Sequence, residues 1–503
     1  MTSEPTTLSA LLETTPERPA VICADDGERV SYGELAGRVE ALAGRLRTAG
    51  VARGDRVALV LPNGPEFVEA LLAIGALGAA AAPLNPGYTA DEHRFYLDDL
   101  APRVLLLAAG ETPAAREVVP DAVPVVELSY AAGVGSSLAL GGRELAPAAL
   151  DETASPDDVA LLLHTSGTTS RPKQVPLLNR NLTASARNIA AFYALGPDDV
   201  SYCAMPLFHV HGLVASTLGT LASGGSVVVT RRLAPRRFWQ HLSEHRVTWF
   251  SAGPTLHHML LDRAEDAAVP ATLRFTRSCS SALSPALFAR AEERYGVPIL
   301  EAYGMTEASH QMASNPLPPG RREVGSVGIA SGVEIGIADR DGRFLGAGEA
   351  GEVCIKGPGV TPGYLGNPEA NASSFFDGWF RTGDQGVVDA DGYLRLVGRI
   401  KEMILRGGEN ISPLEIEETL LAHPAVADAV VFGVADEKYG EEVEAAVALR
   451  GEATDRELVD HCKERLAAFK VPRRIHVLDA IPRTPTGKVQ RRRMPAHLYG
   501  EQA

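Results

Sequence analysis

His164-Thr165-Ser166-Gly167-Thr168-Thr169-Ser170-Arg171-Pro172-Lys173 follows the apolar run Val159-Ala160-Leu161-Leu162-Leu163. The run reads as a buried strand. It feeds a loop of small hydroxyl residues with one glycine and a basic end. That combination suits phosphate: glycine lets the backbone come close, N–H groups and hydroxyls donate to phosphate oxygens, and Arg171 and Lys173 add positive charge. The spacing is not G-x-x-x-x-G-K-[ST], so the loop is not a Walker A. By itself the loop also reads as a Ser/Thr-rich surface turn.

Working outward, 503 residues are too many for one ordinary domain. Ser31-Tyr32-Gly33-Glu34 is a capping box, and Leu35, Val39, Leu42 and Leu46 then recur at helical spacing until Gly50. Residues 57–61 read as a strand, 65–77 as a helix and 80–84 as a strand. This is a βαβ unit, which predicts a parallel sheet covered by helices. Residues 159–163, 226–230 and 248–251 continue the theme. After Gly332, short β-like runs at 333–338, 351–356 and 393–397 alternate with Gly, Pro and Asp turns and predict a small β-rich subdomain. From Glu415 onward helix and strand patterns alternate again. The expected class is α/β: a large N-terminal domain, 1–398, of helix-covered sheets with a small β subdomain, and a small α+β C-terminal domain, 399–503. Residues 113–148 are loosely patterned and predict a variable loop.

With 48 basic and 63 acidic residues the net charge is −15, which disfavours bulk nucleic-acid binding. Cys23, Cys203, Cys279, Cys354 and Cys462 are scattered without a C-x-x-C, against a disulfide framework or zinc site. The most apolar run, 70–83, is short of the ~20 residues a bilayer needs. The first residues lack a basic start with an apolar core, and the chain ends Glu501-Gln502-Ala503 rather than Ser-Lys-Leu. A cytoplasmic location without a membrane partner is expected.

Further segments carry chemistry-bearing residues. Pro206-Leu207-Phe208-His209-Val210-His211-Gly212 sets two histidines at i and i+2, a metal-ligand pair or a packing feature, with no third ligand at a typical spacing. Arg277-Ser278-Cys279-Ser280-Ser281-Ala282-Leu283-Ser284-Pro285 is a turn of small side chains that leaves room for a flat base. Glu301-Ala302-Tyr303-Gly304-Met305-Thr306-Glu307 holds an aromatic face, a hydroxyl and a hard carboxylate ligand, or else a turn with a capping carboxylate. Gly378-Trp379-Phe380-Arg381-Thr382-Gly383-Asp384, Gly398-Arg399-Ile400-Lys401-Glu402, Gly407-Gly408-Glu409-Asn410-Ile411 and Pro485-Thr486-Gly487-Lys488 follow.

In this order, from Thr165 to Lys488, these segments resemble the adenylate-forming superfamily of acyl-CoA synthetases, amino-acid adenylation domains and beetle luciferases. The resemblance implies an acid–CoA ligase that uses ATP with Mg²⁺, forms an acyl-AMP, and passes the acyl group to CoA after the small domain rotates. It implies that Thr165, Ser166, Gly167, Thr168, Thr169 and Lys173 hold phosphate, and that Ser281, Ala282, Glu301, Ala302, Tyr303 and Gly304 pass the nucleotide. It gives Thr306 the α-phosphate, Glu307 the metal, Asp384 and Arg399 the ribose, and His209 the gate between ATP and acyl pockets. Lys401 becomes the hinge, Gly407, Gly408 and Glu409 the CoA tunnel, and Lys488 the catalytic lysine of adenylation. His209, Arg277, Ser280 and His310 line the acyl pocket, where Arg277 and His310 either pair with a second carboxylate or hold loops together.

Ser170-Arg171-Pro172-Lys173, Arg277-Ser278-Cys279-Ser280, His310 with Asn315-Pro316-Leu317-Pro318, and Ala467-Ala468-Phe469-Lys470-Val471-Pro472 look most like oxalyl-CoA synthetases. One residue departs from the superfamily pattern: Gln174 stands where glycine follows the loop lysine. Either it intrudes on the pyrophosphate space or it points to solvent. Intrusion would restrict the enzyme to the acyl-AMP plus CoA half-reaction, with a separate adenylating enzyme as partner. Loading of a carrier protein, or adenylate binding without catalysis, are the other readings.

Overall fold

The computed structural model describes residues 6–111, 113–165, 172–263, 268–483 and 489–500. The apolar run before the loop forms the strand Val159–His164, parallel to Ala80–Pro83 and antiparallel to Gln174–Leu178. The βαβ unit is strand Arg56–Val60, helix Pro65–Ala76 and strand Ala80–Pro83, with Arg56 opposite Ala80. These strands belong to an eight-stranded sheet. A second sheet of nine strands runs parallel through Ile299–Met305, Phe275–Ser278, Trp249–Ala252, Val200–Cys203, Ser226–Val229 and Pro19–Cys23.

Helices fill the space between the sheets. Pro65–Ala76 touches strands of both, and its residues from Pro65 to Gly75 are buried on every side. Its two carboxylates are therefore paired: Glu66 with Arg231 at 2.9 Å, and Glu69 with Arg38 at 3.3 Å and the Ser136 N–H at 2.9 Å. Leu59, Leu161, Leu163 and Val175 from one sheet join Val227, Trp249, Phe275 and Leu300 from the other in one core. The capping box at Ser31 opens Tyr32–Thr48 as expected, with Ser31 N–H to Glu34 Oε2 at 2.8 Å and Glu34 N–H to Ser31 Oγ at 3.2 Å.

Residues 113–148 correct the expected loop. They hold the helix Pro113–Val118 and the hairpin Val125–Ala131 with Gly135–Leu140, which extends the eight-stranded sheet. In the hairpin Val126, Leu128 and Leu138 are the fully buried large apolar residues, so the alternating signal is sparse. A five-stranded sheet containing Glu334–Ala338, Ala350–Lys356 and Trp379–Val388 forms the β-rich part. Leu394–Arg399 is its last strand in the chain, and Ile404–Arg406 opens a fourth sheet with its own core of Ile404, Ile416, Val431, Val447 and Leu458. All five cysteines are free and buried. Among the described residues no helix is long and apolar enough to cross a membrane.

Candidate active site

Three of the segments singled out by sequence, those beginning at His164, Pro206 and Arg277, lie at the C-terminal ends of strands that pair in parallel, where open α/β sheets bind ligands. Ser166, Gly167, Thr168, Thr169 and Lys488 lie outside the described residues. The base of the phosphate loop is closed by the Thr165 N–H on Lys173 O at 2.9 Å and the Lys173 N–H on Thr165 Oγ1 at 3.1 Å. Gln174 sits opposite His164 on the paired strands, and both side chains reach Asp99 of the helix Ala90–Leu100. Gln174 Nε2 donates to Asp99 O and Oδ2, both at 2.7 Å, and His164 Nε2 lies 2.9 Å from the same Oδ2. Gln174 therefore neither points to solvent nor reaches for phosphate. It ties the strand leaving the loop to a helix.

Gln174→Gly is expected to lower stability by ~1–3 kcal/mol, through two lost hydrogen bonds and added backbone freedom. Denaturant unfolding reads this. ATP–pyrophosphate exchange per folded molecule should be unchanged, and an exchange rate raised at constant stability would contradict the tie.

On the nucleotide side, Lys173 Nζ rests 4.4 Å from the centre of the Tyr364 ring, and the Tyr364 hydroxyl donates to Glu307 Oε1 at 2.9 Å. Burial pushes the Lys173 pKa down, Lys401 adds to this, and Glu307 opposes it. Asp384, 5% exposed, accepts the Tyr303 hydroxyl on Oδ2 and has Arg399 Nε 2.8 Å from Oδ1. Burial, then the Asp384 charge, holds Tyr303 well above the usual phenol range, so it stays a donor. Gly304 admits no side chain, since a Cβ there would meet His310 O at 2.2 Å. Asp384→Ala is expected to weaken ATP and acyl-AMP about tenfold or more, as for loss of charged hydrogen bonds, and to leave CoA affinity unchanged. Calorimetric titration of the three ligands decides, and unchanged nucleotide affinity would remove the ribose role.

Of the residues expected in an acyl pocket, Arg277 and Ser280 are joined by a hydrogen-bonded relay through Ser251 and His211. Arg277 is 0% exposed and is the cation of a cluster of neutral partners. Its Nε donates to Tyr193 Oη at 2.9 Å and its Nη1 to Ser251 Oγ at 2.9 Å. Arg277 Nη1 also lies 3.4 Å from His211 Nε2, and arginine only donates, so that nitrogen is an acceptor and the Ser251 hydroxyl donates to it at 2.6 Å. That leaves the His211 proton on Nδ1, which donates to Ser280 Oγ at 3.0 Å. Arg277 Nη2 lies 3.4 Å from His310 Nδ1. Burial first, then the Arg277 charge, holds both imidazoles well below their usual pKa, so they are neutral. Among the described residues no carboxylate lies within ion-pair distance of Arg277. The relay ends at Ser280, which is exposed and strained at φ +83°, near His310 at φ +110°. His209, half-buried, accepts the His211 N–H on Nδ1 at 3.2 Å. The His209–His211 pair is thus not a metal pair, because both His211 nitrogens are engaged.

Other predicted residues fall in different settings. Ser281 and Ala282 are exposed on the turn after Phe275–Ser278. Glu301 pins that turn by accepting the Leu283 N–H at 3.0 Å, and burial pushes its carboxyl up to about 8. Ala302 is buried and Thr306 half-buried. Gly407 and Gly408, at φ +59° and +92°, form the two-residue turn between Ile404–Arg406 and Glu409–Ile411, which needs glycine-like backbone. Glu409 and Lys401 are exposed. Sequence reasoning missed Tyr193, Ser251, Asp99 and Tyr364. Only Tyr364, in Gly363-Tyr364-Leu365-Gly366, had a local signal, an aromatic residue inside a glycine turn.

Residues 8–365 match the AMP-binding enzyme family, and residues 415–488 match the AMP-binding enzyme C-terminal domain. The chain is 45% identical to an oxalate–CoA ligase of Arabidopsis thaliana, over 98% of each chain. It is 38% identical to a sulfoacetate–CoA ligase of Cupriavidus necator, over 96% of this chain and 95% of that one. The structure superposes on O-succinylbenzoate coenzyme A synthetase from Bacillus subtilis, in complex with ATP and magnesium ion, with a TM-score of 0.85 at 32% identity, over 97% of this chain and 99% of that one.

Proposed function

The chain belongs to the AMP-binding enzyme family, and we propose that it is an AMP-forming acid–CoA ligase acting on a short acid with a second anionic group. The observation that carries the substrate class is the buried Arg277, with no carboxylate in ion-pair distance among the described residues. A buried charge without a counter-ion costs several kcal/mol. The relay Arg277–Ser251–His211–Ser280 leaves the Ser280 hydroxyl proton to donate outward to an anion. Oxalate–CoA and sulfoacetate–CoA ligases among the relatives support this class.

In the first step one oxygen of the acid attacks the α-phosphorus of ATP and pyrophosphate leaves. In the second the CoA thiolate attacks the acyl carbonyl and AMP leaves. Catalysis is positioning and charge stabilisation. Lys173 and Lys488 meet phosphate and acyl oxygens, Thr306 the α-phosphate, and Asp384 with Arg399 the ribose. His209 separates the acid from the nucleotide. The Glu307 carboxylate, a hard oxygen beside Lys173 and Thr306, fits Mg²⁺, which supplies charge neutralisation on the polyphosphate. The hinge of the 399–503 domain is read at Lys401, and its rotation brings the Gly407-Gly408-Glu409 turn to the thiol. A cytoplasmic setting fits the five free cysteines. The anchored Gln174 supports both half-reactions in one chain, so no separate adenylating enzyme is needed.

A panel of acids with MgATP and CoA, followed by mass spectrometry, tests the reading. Oxalate, malonate and sulfoacetate should give acyl-CoA, with acetate and hexanoate poor. Preference for an uncharged acyl chain would overturn the substrate class.

A further inference from the structure

We propose that Tyr364 is a positioning residue that holds the loop lysine and the metal-binding carboxylate in register, a reading that rests on the role given above to Glu307. Its ring carries Lys173 Nζ at 4.4 Å, and its hydroxyl donates to Glu307 Oε1 at 2.9 Å. One side chain thus touches the two oppositely charged groups that the polyphosphate and its metal require.

The Tyr364 backbone is held tightly. Its N–H donates to Asn371 Oδ1 at 2.7 Å, and its carbonyl accepts from Asn371 Nδ2 at 2.9 Å. The same segment bridges both neighbours. The Thr361 N–H donates to Glu307 O at 2.7 Å, the Thr361 hydroxyl donates to Pro176 O at 2.7 Å, and the Leu365 N–H donates to Gln174 O at 3.0 Å. Tyr364 is 7% exposed, and its ring packs edge-on against Phe380 with centroids 6.3 Å apart. It is therefore a fixed point between the strand leaving the phosphate loop and the Thr306-Glu307 turn.

The physical consequence has two parts. The hydroxyl occupies one carboxylate oxygen of Glu307 and sets its rotamer, leaving the remaining lone pairs for the metal. The ring face gives the Lys173 ammonium an aromatic partner that is weaker than a phosphate oxygen, so arriving polyphosphate takes the lysine from a preset position. The two parts separate by mutation. Tyr364→Phe keeps the ring and removes the hydroxyl, whereas Tyr364→Leu removes both.

The experiment is calorimetric titration of the full chain with ATP in the presence of Mg²⁺ and with ATP in EDTA, together with thermal midpoints. Wild type should bind MgATP more tightly than metal-free ATP. Tyr364→Phe should reduce that ratio about tenfold with metal-free affinity unchanged, the size typical of lost support behind a metal ligand. Tyr364→Leu should lose the same ratio and also about two- to threefold in metal-free affinity. The Mg²⁺ concentration for half-maximal ATP–pyrophosphate exchange should rise in both. Glu307→Gln is the control for the underlying reading: if it keeps the wild-type ratio, Glu307 is not the metal ligand and that reading fails. If Glu307→Gln loses the ratio while Tyr364→Phe keeps it, the reading stands and the Tyr364 proposal is overturned. Equal loss of both affinities in Tyr364→Phe, with a lowered midpoint, also overturns it, because a packing residue would behave that way.

Discussion

Arg277→Met is expected to lower kcat/KM for a dianionic acid while leaving the thermal midpoint unchanged or raised. Loss of a charge acting through hydrogen bonds is worth ~1.5–3 kcal/mol, or about a tenfold to hundredfold effect. The unusual half is the stability. Removing a buried ionic group normally strands its partners, but the partners here are neutral and have other bonds. Tyr193 Oη still has Gln311 Oε1 at 2.9 Å and Ser314 Oγ at 2.7 Å, and Ser251 Oγ still has His211 Nε2 at 2.6 Å. Methionine fills much of the arginine volume without the desolvation cost of a charge. Stability gained at the expense of activity marks a group kept for its ligand. Steady-state rates with oxalate and acetate, beside a thermal melt, measure both halves. A destabilised variant with undiminished preference for the dianion would place Arg277 among the packing residues.

Lys488→Ala is expected to separate the half-reactions. Residue 488 closes the C-terminal family match, which spans 415–488. On the role proposed for it, the lysine supplies one charge-assisted contact to the acyl and α-phosphate oxygens during adenylation, and its removal would cost ~1.5–3 kcal/mol. ATP–pyrophosphate exchange should therefore fall by about tenfold or more. Conversion of synthetic acyl-AMP and CoA to acyl-CoA should change little, because the proposed rotation of the small domain would have taken the lysine away by then. Equal losses in the two assays would mean that Lys488 supports the fold of the small domain and takes no part in adenylation.

Local pattern made much of the architecture readable. The apolar run before the loop had to be a strand, because five successive apolar side chains can be buried on both faces of a covered sheet. The unit 57–84 had to be βαβ, because its apolar spacing switches from continuous to helical and back. The Gly407-Gly408 turn was legible for the same reason, since its constraint lies in two adjacent residues. The order of the motifs was likewise enough to mark the family, which the matches over residues 8–365 and 415–488 bear out.

What a window of neighbouring residues does not contain is the order of strands in a sheet. Helix 65–76 shows this: Glu66 and Glu69 are both buried, because strands of two sheets pack on the helix. Gln174 is another case. From sequence it could intrude on phosphate or meet solvent, and Asp99, 75 positions earlier, took it instead. The Arg277 relay joins residues up to 84 positions apart, because parallel crossovers set Trp249–Ala252 beside Phe275–Ser278 and bring Tyr193 beneath them. The sequence alone therefore determined most of the elements outside 113–148, the order of the motifs and the class of chemistry. The tertiary structure decided which charges are paired and which side chains converge, since pairing energies depend on distance and burial, and both are set by the packing of elements far apart in the chain.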